Sequence, residues 1–160
     1  MSALTTLASV TRPDSWDFPL FLHILGAMVL VGALTLSAIA LIAAWRSGSA
    51  ALTKLGFMSL FYGAIPGYLL MRGAAQWIAH KEGLDNDDVD LSWINIGFSV
   101  SDLGFVLLVI ALIIGGIKVR SINRGQGGTP SVSVRIATGL VSLFLIACLV
   151  AVWAMTVKPT

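Results

Sequence analysis

The chain has 160 residues, 57% of them hydrophobic and 11% charged, with a mean hydropathy of +0.91. A soluble domain carries about a quarter charged residues, so this balance excludes a water-soluble globular domain and places the chain in lipid. The net charge of +2 and pI near 9.0 do not point to nucleic acid, because the basic residues cluster in two short loops.

Residues 1–17, MSALTTLASVTRPDSWD, lack the basic start and sustained apolar run of a signal peptide and are expected to form a short tail. Four apolar stretches follow, at about 18–45, 55–80, 92–118 and 135–157. Each reaches the roughly 20 residues a helix needs to cross about 30 Å of hydrocarbon. Residues 1–160 are therefore expected to form a single transmembrane domain. Short connections force neighbouring segments to run up and down. The expected fold is all-α, an integral membrane antiparallel four-helix bundle.

Loop charge gives the orientation. Arg46, Lys54, Lys118, Arg120, Arg124 and Arg135 fall in the loops at 46–54 and 118–135, which contain no acid. Asp14, Asp17, Glu82, Asp85, Asp87, Asp88 and Asp90 all fall on the opposite side. The lysine and arginine bias sets topology, so the two basic loops are expected in the cytoplasm, with both termini outside. The expected location is the cell membrane, as a multi-pass protein. Trp16, Trp77, Trp93 and Trp153 then lie near the outer boundary and Trp45 near the inner one, as an aromatic belt requires.

The first segment contains His23. The second contains Gly63 and Gly67, a GxxxG pair around Pro66, which is expected to kink the helix by removing a backbone donor. Arg72, Gln76 and His80 follow at four-residue steps, one stripe of a 3.6-residue period. The loop KEGLDNDDVD fails the EF-hand pattern and reads as a solvated acidic loop. In the third segment Ser92, Asn95, Ser99 and Asp102 again fall on one face, and Gly97 with Ser101 repeats the small-residue spacing. Such small-residue faces suit helix packing, a homo-oligomer or a membrane partner. Gly125–Ser133 reads as a flexible connector, and Cys148, the only cysteine, as a packing residue in the fourth segment.

Charges facing lipid would be unpaired, so the two polar stripes are expected to face each other or a shared cavity. Arg72 lies five residues before Trp77, about 7–8 Å along the axis, and Asp102 lies nine past Trp93, roughly 13–14 Å. Helical side chains tilt toward the helix N-terminus, so Arg72 leans inward and Asp102 outward. A buried Arg72–Asp102 pair is expected, within a polar cluster of Arg72, Gln76, Asn95, Ser99 and Asp102. Such a pair either serves a proton-coupled transport path or only fixes helix register in a non-catalytic subunit.

His23 and His80 both fall in the expected outer half, where tilt brings their rings toward one level. Facing imidazoles can ligate haem b, or a copper or zinc ion, and a hydrogen-bonded interfacial role is the plain alternative. No Ser/His/Asp set, glycine-rich phosphate loop or HExxH motif is present, so nothing indicates an enzyme.

Leu22-His23-Ile24-Leu25-Gly26-Ala27, followed by Val31-Gly32, resembles the first-helix signature of several small bacterial integral membrane families. They are a family of predicted membrane proteins of unknown function, the copper-resistance D domains, and the four-helix haem-linked protoporphyrinogen oxidases. Ile65-Pro66-Gly67 ahead of Arg72 looks closest to the unknown-function family. The match covers helix 1 and part of helix 2. Leu30 stands where those families commonly carry tryptophan, and Ala33 where they carry a second glycine. By resemblance to the oxidases, His23 is the residue implied in haem binding.

Overall fold

A computed structural model describes residues 17–82, 92–125 and 132–157. Its helices are α1 (Asp17–Ser47), α2 (Ala50–Ser59), α3 (Ile65–Glu82), α4 (Ser92–Asn123) and α5 (Val132–Val157), with a π turn at Leu60–Ala64 between α2 and α3. No strand occurs among the described residues. Three helical stretches, Asp17–Ser47, Gly97–Asn123 and Val132–Ala154, are long and apolar enough to cross a membrane. The acidic loop at 83–91, most of the expected Gly/Ser connector and the side chain of Asn95 lie outside the described residues.

Local chemistry explains the boundaries. Asp17 in the first turn and Arg46 in the last complement the dipole of α1. Pro19 is tolerated because the first turn has no intrahelical acceptor for its missing N–H. Gly48 stops α1 with φ +68°, a left-handed conformation that costs glycine nothing. Ser49 then caps α2, its side chain accepting from the Leu52 amide at 3.4 Å. The loop expected at 46–54 thus shrinks to Gly48 and Ser49, and the second helical segment starts at Ala50. The sequence reading missed this because the polar residues at 46–54 belong to helices: Ser49 is a cap, and the buried Thr53 turns its hydroxyl back onto the Ser49 carbonyl at 3.0 Å.

Pro66, expected to kink the helix, is preceded by a widened turn. Its ring and missing donor cannot accommodate a normal turn behind it, and the helix widens at Leu60–Ala64. Helical dihedrals hold on both sides of the turn, so α2 and α3 continue as one rod.

That rod packs along α1 with opposite chain direction. Phe18 meets Trp77 edge-on at 6.4 Å, His23 meets Met71, and the Ser59 hydroxyl donates to the Ala33 carbonyl at 2.9 Å. The two backbones touch where glycine allows it. A Cβ on Gly26 would stand 2.8 Å from the Met71 Cα, and one on Gly67 2.7 Å from the Leu30 amide nitrogen. Gly63 faces Ala33 in the same seam, so the GxxxG pair is spent within the chain.

α5 packs against both α1 and α4, whereas α3 and α4 touch only sparsely. The core is Leu30, Leu34, Leu41, Leu60, Leu108 and Phe144, all essentially inaccessible. Outward surfaces carry Met28, Ile39, Ile117 and Trp153, each more than half exposed, as helices bathed in hydrocarbon should.

Candidate functional site

The sparse contact between α3 and α4 leaves a half-enclosed cavity of about 350 Å³. Its walls come from α1, α3, α4 and α5, and nearly all are apolar, including Leu30, Ile78, Phe98, Phe144 and Val152. His23, Arg72, Ser101 and Cys148 are the polar or reactive exceptions.

The packing of α1 on α3 places His23. Its Nδ1 lies 3.0 Å from the Met71 carbonyl oxygen. A carbonyl only accepts, so Nδ1 carries the proton and Nε2 of the neutral ring keeps its lone pair. This contact exists because Gly26, one turn along α1, lets the two backbones close.

Arg72 is held from two directions. Its Nη2 donates to Asp102 Oδ1 at 3.1 Å, and its guanidinium carbon stands 4.4 Å from the centre of the Phe98 ring. Nη1 is fully shielded from solvent and has no hydrogen-bond partner among the described residues. A buried donor left unmade is costly. The pairing that side-chain tilt anticipates is present, but it is not buried. The Arg72 side chain is 24% accessible and that of Asp102 is 65%. Because α3 and α4 diverge here, the pair bridges the edge of the bundle and not its core.

The polar stripes do not line the cavity as expected. Gln76, His80 and Asp102 are exposed and absent from its walls. Ser99 is exposed too and faces a separate shallow groove with Leu103 and Leu143. Of the cluster's described side chains, only that of Arg72 enters. The walls come from positions beside the stripes: Met71, Ala75 and Ile78 on α3, Phe98 and Ser101 on α4. A face angle read from one helix says nothing of its rotation against the next, and sparse α3–α4 packing leaves that rotation to α1 and α5.

The histidines also separate. His23 engages Met71, and His80 lies nine residues further along α3, about 13–14 Å of helical rise. Nine residues also turn the helix through roughly half a revolution relative to Met71. His80 is exposed while His23 lines the cavity, so the rings do not share a level. Among the described residues no group of three His, Cys, Asp or Glu side chains could hold a metal ion.

The sequence reading passed over Tyr68 and Phe98 and took Ser101 only as a small packing residue. Tyr68 stacks on Phe105 at 4.9 Å, and the Ser101 hydroxyl lies 3.5 Å from the Tyr68 hydroxyl. Aromatics in a lipid-embedded helix carry no signal of their own, although Ser101 beside Asp102 could have been counted. Comparison with protein-family models, with curated proteins and with solved structures gives no match to this chain.

Proposed function

We propose that the protein crosses the cell membrane four times as an antiparallel helical bundle, and that its cavity binds a small molecule with an apolar body. The basic residues at 46–54 and 118–135 support cytoplasmic faces there, with both termini outside. Arg135 stacking over Trp45 at 4.4 Å is the kind of contact found at a membrane boundary.

The cavity itself carries the binding reading. A largely apolar chamber with a few convergent polar groups is the ordinary form of a ligand site. Native mass spectrometry of protein extracted in mild detergent tests it. A retained small molecule, lost from an Ala75→Trp variant that fills the cavity, is the expected result. An empty protein indistinguishable from that variant in all ligand screens overturns it.

His23 favours one cofactor in particular. A bare copper or zinc ion needs three or four protein donors, and the donor set around His23 does not supply them. Haem b brings four donors of its own and needs one imidazole Nε2, the atom His23 leaves available. Bound there, haem would supply a redox-active iron, and His23 would hold it. A Soret band after haem supplementation, lost in His23→Ala and kept in His80→Ala, is expected; its absence in the native protein removes haem from the proposal.

A further inference from the structure

We infer that the cavity selects a long-chain monocarboxylate, a single-chain acidic amphiphile drawn sideways from the surrounding lipid, with Arg72 as the anchor of its carboxylate. The inference rests on the proposal that the cavity binds an apolar-bodied molecule, and it names the head group that molecule carries.

Three observations converge. First, Arg72 Nη1 is shielded from water and without a hydrogen-bond partner among the described residues, although the residue lines the cavity. A planar guanidinium matches the paired oxygens of a carboxylate or a phosphate. Second, the rest of the guanidinium is fixed in advance. Asp102 holds Nη2 and the Phe98 face supports the plane, so little side-chain entropy remains to be lost on binding. Third, the walls beyond Arg72 are apolar: Leu30, Val31, Ile78, Phe144 and Val152 suit an alkyl chain and offer it nothing polar.

The charge arithmetic sets the head group. Asp102 already offsets part of the arginine charge, and Nη1 is the guanidinium nitrogen that lies buried without a partner among the described residues. A single negative charge with two acceptor oxygens completes that arrangement. A phosphate head, with up to two charges and more oxygens to satisfy, would leave acceptors unpaired and stand against Asp102. The side where α3 and α4 barely touch provides the route, since an amphiphile in the leaflet can slide its chain in without leaving lipid.

The test uses the full chain in neutral detergent and three probes of matched chain length: palmitate, hexadecanol and a palmitoyl lysophosphatidate. Palmitate is expected to bind roughly ten- to hundredfold more tightly than hexadecanol, the range of one charge-assisted hydrogen bond. Arg72→Gln should abolish that preference, bringing palmitate down to the affinity that the same variant shows for hexadecanol. Asp102→Asn should tighten palmitate, because the amide oxygen can still accept from Nη2 while the competing negative charge is gone; a purely structural pair predicts no such gain, and this variant keeps the test decisive should Arg72→Gln misfold. Equal binding of palmitate and hexadecanol overturns the carboxylate anchor while leaving the cavity a binding site. Preference for the lysophosphatidate overturns the carboxylate in favour of a phosphate head. Failure of all three probes in haem-free protein that still retains another small molecule overturns the inference alone, and failure together with an empty cavity overturns both.

Discussion

Arg72 on α3 and Asp102 on α4 meet at 3.1 Å across a boundary where these two helices barely touch. The pair is therefore a bridge over a gap and not a rivet inside a seam. Exposed ion pairs are worth about 0–1 kcal/mol, and polar contacts between membrane helices average about 0.6 kcal/mol. A double-mutant cycle with Asp102→Asn and Arg72→Gln, read by detergent unfolding, should give a coupling of about 0.5–1 kcal/mol. Arg72→Gln should also cost more than Asp102→Asn, because it alone forfeits the Phe98 face, worth about 0.5–2 kcal/mol. Equal costs for the two single variants would show that the ring contact contributes nothing.

His23 and His80 should behave as different kinds of residue. His23→Ala removes a part-buried hydrogen bond to the Met71 carbonyl and should cost about 1 kcal/mol in unfolding. His80→Ala alters an exposed position near the end of α3 and should cost no more than an exposed polar contact, about 0–1 kcal/mol. A larger loss for His80 would contradict the separation of the two rings.

What the sequence disclosed divides along a physical line. Periodicity, span length and side-chain tilt are properties of one helix, and they brought Arg72 and Asp102 together on paper. Rotation of one helix against another is a property of packing. It is set here by Gly26 and Gly67, which draw α3 against α1 and turn Met71, Ala75 and Ile78 toward the cavity in place of Gln76 and His80. GxxxG announced a close contact but not its partner. The capping of α2 by Ser49 was legible in principle, since a glycine followed by a serine is a stop and a start.

Cys148 offers a direct view of the cavity, being the only cysteine, buried on α5, and part of the cavity wall. A small membrane-permeant maleimide should label it slowly in native protein and rapidly after unfolding. Palmitate, or any occupant of the cavity, should slow labelling several-fold further, and Ala75→Trp should do the same without a ligand. Labelling at the unfolded rate in the native state would mean that the cavity wall is not packed as described.

The glycines give the sharpest test of the packing, because their surroundings differ so widely. A Cβ at Gly26 or Gly67 meets the backbone of the opposing helix, which cannot move aside as a side chain can. Alanine at either position should cost about 1–3 kcal/mol, the range for overpacking a well-filled core. Gly32 and Gly73 have nothing within 4 Å of the same atom, so alanine there should be neutral or stabilising by up to about 1 kcal/mol through helix propensity. Gly104 is intermediate: its added methyl would enter the ring of Phe144, a fully buried side chain that a smaller residue could replace. Gly104→Ala should therefore destabilise, and Phe144→Leu should recover part of the loss. No second-site change of that kind should rescue Gly26→Ala, since the obstacle there is main chain. Full rescue of Gly26→Ala by trimming a neighbouring side chain would mean that α1 and α3 do not approach through their backbones.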